Sequence, residues 1–239
     1  MFASTTQGPV LVIGAAHVVD IASPLRQTIR ERTLDGIAVE LDADRARALL
    51  APEPSSSASG KGVPIFLRLW SLIQRRLGQQ IGGGLAGAEM RTAAELAKER
   101  EIPLFLIDDP IRETLARLMR SMSLRERVSL MVGGIVGLFA PSGMVERQID
   151  RYTDQPDAYL NEIRQAYPTV ARVLLDDRNE HMADRLARIR SDGYGRVAVV
   201  VGDAHVEGLA GALRRRGIPT ETVSFGQLRT VTVPSTGSA

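Results

Sequence analysis

The chain has 239 residues, of which 44% are hydrophobic, 24% charged and 4% aromatic, the balance of a globular protein with core enough for one large domain or two small ones. Thirty Lys and Arg against 28 Asp and Glu leave a net charge of +2, with the basic residues dispersed along helical stretches, so nothing points to nucleic acid. The absence of cysteine excludes disulfides, thiolate metal sites and cysteine nucleophiles.

The N-terminal MFASTTQGPV lacks the basic and apolar segments of a signal peptide, and the longest apolar run, Leu130 to Pro141, is too short and glycine-rich to span a bilayer. A soluble, cytoplasmic protein is expected. Val10 to Ile13 is a continuous β-branched run of the kind buried on both sheet faces, and Asp20 to Arg32 carries helical spacing. Ile37 to Leu41 reads as a second strand with Glu40 at its end, followed by the helix-forming ADRARALL. Residues 51–62, APEPSSSASGKG, form a polar linker expected to be mobile.

Pro64 to Gln80 predicts a helix with Phe66, Leu67, Trp70, Ile73 and Leu77 on one side, and Ala86 to Glu101 a second with an alanine-rich face. Ile102 to Ile107 is a third strand; Asp109-Pro110 then starts a helix whose expected buried stripe is Ile111, Leu115, Leu118 and Met119. Residues from Tyr159 to Arg190 read as mostly helical with a break near Pro168. Val197 to Val201, a helix from Val206 to Arg216, and a strand at Thr220 to Ser224 complete the pattern, leaving 229–239 as a tail. Strands alternating with helices predict a single α/β domain with a mostly parallel sheet.

Two of the three histidines share one context, His17 in VLVIGAAHV and His205 in VVVGDAHV. Loops leaving the carboxyl ends of strands are where open α/β sheets bind ligands, so both imidazoles are expected on that rim, with Gly14 and Gly202 allowing tight turns out of the strands. Glu40 reaches the same edge, and two imidazoles with a carboxylate suffice to hold Zn, Mn or Co. Behind Glu40 stand Glu89, which equally suits charge compensation at a helix N-terminus, and Asp108, which equally suits a helix cap. Arg178 is a candidate to stabilise an oxyanion or orient a carboxylate, although beside Asp176 and Asp177 it also reads as a solvated ion pair. His181 is expected on the surface or in a groove, beside a stripe of Met182, Leu186 and Ile189.

Gly82 to Gly87 formally fits G-x-G-x-x-G, but it follows a helical segment rather than a strand, and Gly60-Lys61 lacks the Ser or Thr of a phosphate loop. Leu130 to Met144, LMVGGIVGLFAPSGM, is apolar enough to serve either as core or as a peptide groove, a homo-oligomer contact or a membrane contact.

The segments VLVIGAAHV, AVELDADRARALL, GAEMRTAAELAKEREIPLFLIDDPIRETLARL, LLDDRNEHMADRLARIR and VAVVVGDAHVEGL, in this order, resemble the TraB/PrgY pheromone-shutdown family, related to Tiki and GumN proteins and more remotely to erythromycin esterases and ChaN haem-iron binders. The resemblance implies a Tiki-like α/β fold with helical insertions. It also implies divalent-metal-dependent peptidase activity, with His17 and His205 as ligands and Glu40 as ligand or base. The alternatives are a non-catalytic peptide- or haem-binding protein and a metal-independent, esterase-like hydrolase. Two departures concern the site: where the family reads I-D-R-D this chain has Ile107, Asp108, Asp109 and Pro110, without the basic residue, and the family's E-R-D appears as Asp177, Arg178 and Asn179. The C-terminal VTVPSTGSA carries none of the hydrophobic region that follows the last motif in archaeal members.

Overall fold

The computed structural model describes residues 7–15, 21–50, 87–129 and 156–230. His17, the 51–62 linker, the helix expected at Pro64 to Gln80, the glycine-rich 82–86, the apolar stretch from 130 and the tail beyond 230 lie outside the described residues.

Five strands form one all-parallel sheet: β1 (Val10–Ala15), β2 (Gly36–Val39), β3 (Leu104–Leu106), β4 (Val197–Gly202) and β5 (Thr220–Val223), in the order β3-β2-β4-β1-β5. β1 and β4 are the central strands, paired from Leu11 with Ala198 to Ala15 with Gly202. Their valine-rich sequences suit this position, since a parallel sheet covered on both faces gives neither side of the strand to water. All six residues of β1 are buried.

Side-chain alternation divides the core into two layers. Leu11, Ile13, Ala198 and Val200 face α1 (Ala22–Arg30), α3 (Ala88–Glu99) and α9 (Phe225–Arg229), through Leu25, Ile29, Ala93, Leu96 and Leu228. Val10, Val12, Val197 and Val199 face α7 (Asp177–Ser191) and α8 (Val206–Arg215), through Met182, Leu186, Leu209 and Leu213. α9 was not anticipated from the sequence; it is opened by a capping box between Ser224 and Gln227 and takes Arg229 out of the expected tail.

Between these lie α2 (Ala43–Leu50), α4 (Ile111–Ser121), α5 (Pro156–Ala166) and α6 (Pro168–Ala171). The break anticipated near Pro168 falls at Tyr167, between α5 and α6, and between α6 and α7 the chain widens into a π-helix at Arg172–Asp176. The buried side of α4 keeps half of the stripe expected: Leu118 is buried and Leu115 packs beside it, with Thr114 also buried, whereas Ile111 and Met119 are 38% and 44% exposed. Leu118 packs with Met122 and Val173 in a small separate cluster, so α4 answers to the segment around the π-helix rather than to the sheet. Pro110 stands just before the first helical residue, as the N-cap.

Each helix that leads directly into a strand starts at the carboxyl edge of the sheet. α1 continues from β1 on one face and α8 from β4 on the other, so the carboxyl ends of these neighbouring strands form the topological switch point of the sheet.

Candidate functional site

At that edge a group of polar and charged side chains gathers from four elements. Glu40 follows β2, Asp108 follows β3, His205 follows β4, and Arg178 and Asn179 occupy the first turn of α7. Glu40, Asp108, Asn179 and His205 are all buried.

The glycines that precede the two histidines serve another purpose than the expected one. Neither Gly14 nor Gly202 has a positive φ, and both lie inside their strands. A Cβ at Gly14 would stand 2.2 Å from Asp203 Oδ1, and one at Gly202 3.4 Å from Glu40 Oε2. Close approach is the constraint at Gly14, which Asp203 Oδ1 crosses to accept the N–H of Phe225 at 2.7 Å, whereas Gly202, where a Cβ would stand at ordinary contact distance, contributes its N–H, donated to Glu40 Oε2 at 2.7 Å. The turn itself is a 3₁₀ segment, Asp203–His205, that delivers the imidazole to the site.

His205 is held on both ring nitrogens. Nδ1 lies 2.8 Å from Asn179 Oδ1, and Nε2 3.0 Å from Arg178 Nη1. A guanidinium can only donate, so Nε2 is the acceptor and the proton resides on Nδ1, donated to Asn179. Burial lowers the pKa of His205, with Glu40 opposing and Arg178 reinforcing the shift. The ring is therefore neutral at neutral pH, with its lone pair on Nε2. Asn179 reaches it because α7 and α8 meet closely at Gly208, where a Cβ would lie 2.1 Å from Asn179 Nδ2.

Arg178 is the centre of the cluster. Its Nε and Nη2 form a fork on Asp108, at 3.0 Å to Oδ1 and 2.6 Å to Oδ2, while Nη2 also bonds Glu40 Oε1. Nη1, besides meeting His205, donates to the Leu174 carbonyl at 3.2 Å, within the π-helix. Although burial opposes its charge, the bonds to Asp108 and the attraction of both carboxylates raise its pKa further. The solvated pairing with Asp176 and Asp177 does not occur; those carboxylates face Arg164 and Arg172.

Burial alone would raise the Glu40 carboxyl. Attraction to His205 and Arg178, with hydrogen bonds from Gly202 and Arg178, outweighs it and holds the pKa at about 2. Because His205 is neutral at pH 7, Arg178 is the standing countercharge there.

Asp108 is not a helix cap. Its oxygens accept from Arg178, from the N–H of Asp109 at 2.9 Å and from Arg45 Nη1 at 2.9 Å. Arg45, in α2, also donates to the backbone carbonyl of Glu40. A basic residue is thus supplied to Asp108 from α2, although position 109 is acidic. No signal in the sequence marked Arg45, which sits in ADRARALL as one of two arginines alternating with alanine. Its position is fixed by Asp42, whose Oδ1 caps α2 by accepting the N–H groups of Asp44 and Arg45, each at 2.9 Å.

Glu89 is buried in the first turn of α3, at the same edge but on the opposite face of the sheet from Arg178 and Asn179. His181, one turn beyond Arg178, is half-buried on the flank, with Nε2 3.1 Å from Asp109 Oδ1 and 3.1 Å from Arg185 Nε. Its expected surface or groove position agrees with this.

The described residues contain no group of three His, Cys, Asp or Glu side chains arranged around a metal ion, His17 lying outside them. Two donors of the expected set are nonetheless together: His205 Nε2 and Glu40 Oε1 are 3.5 Å apart. Adjacent tetrahedral ligands with bonds of about 2.1 Å stand about 3.4 Å apart, so this separation suits one ion. A cation already bridges the pair, since the Arg178 guanidinium contacts both atoms.

Among the described residues no helix is long and apolar enough to cross a membrane. An uncharacterized protein of Methanocaldococcus jannaschii is 28% identical over 223 residues, covering 90% of this chain and 56% of that relative, so the chain spans little more than half the relative's length. The sequence model of the TraB/PrgY/gumN family matches residues 3–222, nearly the whole chain and all four elements that build the cluster; the chain belongs to this family.

Proposed function

We propose that the chain is a divalent-metal-dependent hydrolase acting on peptides, with His17, His205 and Glu40 holding Mn, Co or Zn. One observation carries the reading: a buried, neutral His205 whose Nδ1 is tied to Asn179 and whose Nε2 lone pair lies 3.5 Å from a carboxylate oxygen of Glu40. Metal-ligating histidines need this arrangement, since the bond on the far nitrogen fixes tautomer and ring orientation. When bound, the ion supplies Lewis acidity and a water that ionises near neutral pH.

The chain's own residues divide the remaining work. A pKa of about 2 makes Glu40 an anion throughout the physiological range and a weak base, so it suits a ligand better than a proton carrier. Asp108 holds Arg178 by its fork, which places a guanidinium at the site for negative charge developing on a carbonyl oxygen. Peptides as substrate come from the family resemblance alone.

One contact favours a second reading. Arg178 Nη1 donates to the same His205 Nε2 that a metal would use, so a guanidinium already stands where the ion would, which suits a metal-independent, esterase-like hydrolase. Turnover of a quenched fluorescent peptide library, after EDTA treatment and with Mn, Co or Zn restored, separates the readings. Ion-dependent turnover that disappears in His205→Ala is expected. Turnover that survives chelation supports the second reading, and peptide or haem binding without turnover identifies a binding protein.

A further inference from the structure

We infer that Arg178 is a resident cation of the metal site, which occupies the donors His205 and Glu40 until a divalent ion displaces it; this rests on the metal-dependent reading above. The guanidinium touches both atoms that an ion would need, His205 Nε2 and Glu40 Oε1. It also neutralises two buried carboxylates: without it or another cation Asp108 would keep only Arg45, and Glu40 would stand as an uncompensated charge in the interior. Ion and guanidinium therefore compete for the same lone pairs.

The arrangement lets Arg178 yield without being expelled. Nε and Nη2 keep their fork on Asp108, and Nη1 keeps the Leu174 carbonyl at 3.2 Å. That carbonyl belongs to the π-helix of Arg172–Asp176, a widened turn of the kind that often accompanies functional sites. Only the contacts to His205 and Glu40 are surrendered. Arg45 provides the internal comparison: it bonds Asp108 and the Glu40 carbonyl, so it contributes positive charge nearby while touching neither donor atom.

Mn²⁺ affinity of the purified wild type, Arg178→Met and Arg45→Met, measured by calorimetry and electron paramagnetic resonance, tests the competition. Loss of a charge-assisted bond to the donors predicts binding about tenfold or more tighter in Arg178→Met than in wild type, with a distinctly smaller gain in Arg45→Met. Equal gains in the two variants reduce the effect to net charge and overturn the inference, as does an affinity unchanged by Arg178→Met; in both cases the metal reading survives. Absence of binding in every protein overturns both. Should Arg178→Met fail to fold, side-chain nitrogen NMR of the wild type decides: Zn²⁺ should shift the His205 Nε2 and Arg178 Nη resonances together while His205 Nδ1 stays protonated. An Arg178 signal indifferent to bound Zn²⁺ refutes displacement.

Discussion

Glu40→Gln removes one charge from the centre of the cluster while keeping the shape of the side chain. The folded protein holds the Glu40 carboxyl at about 2 against an ordinary value of 4.5. At about 1.4 kcal/mol per unit, a depression of this size is worth about 3 kcal/mol, of which the share owed to a charged His205 is absent at pH 7, where Arg178 and Gly202 hold the anion. Because the folded value lies below the unfolded one, the contribution is complete above pH 4.5 and declines as pH falls towards 2. The variant should therefore unfold about 1–3 kcal/mol more easily in urea at pH 7, or melt about 2–12 °C lower for a domain of this size. The gap between wild type and variant should then close progressively below pH 4.5. Urea titrations at intervals from pH 7 to pH 3 follow both effects. A variant as stable as wild type at pH 7, or a gap that stays constant with acid, would refute the reasoning that Arg178 and Gly202 hold Glu40 as a buried anion.

Asn179→Ala should cost about 1–3 kcal/mol by leaving His205 Nδ1–H without its acceptor, and in imidazole NMR the Nδ1–H resonance should shift and exchange faster with solvent while Arg178 keeps the tautomer; an unchanged Nδ1–H resonance would refute the bond to Asn179. Gly208→Ala forces a methyl group against Asn179 and should destabilise by about 1–3 kcal/mol, while the same substitution in an Asn179→Ala background should cost clearly less. Strict additivity of those two changes in urea denaturation would show that the close approach of α7 and α8 does not position Asn179.

The strands were legible because their residues leave little choice: Val10 to Ile13 and Val197 to Val201 are β-branched, uninterrupted and flanked by helical periodicity. His205 and Glu40 could be placed for the same reason, each following a strand end by few residues. What escaped the sequence was most of the network between elements. Asn179 looked like a variation within an acidic motif, whereas its partner lies 26 positions away, beyond α7. Arg178, flanked by acids, suggested a solvated ion pair beside its reading as a carboxylate partner, and its side chain goes inward to Asp108, Glu40 and His205. Gly14 was legible as necessary but not for the right reason, because crowding by Asp203 has no trace in a strand-turn pattern. Ile111 and Met119 followed helical spacing correctly, yet spacing does not tell which neighbour the face meets.

The position of β4 between β1 and β2 governs how the protein is made. During synthesis the first two strands emerge with no partner for each other, and the strand that joins them is read out from Val197 onward, with more than a hundred intervening residues to be gathered in. Such long loop closures are slow, and they leave β-branched segments waiting unpaired. No early fragment of the chain can hold Glu40 and His205 together. The candidate site therefore cannot form before β4 has joined the sheet, and a chain truncated before β4 carries Glu40, Asp108 and Arg178 without His205.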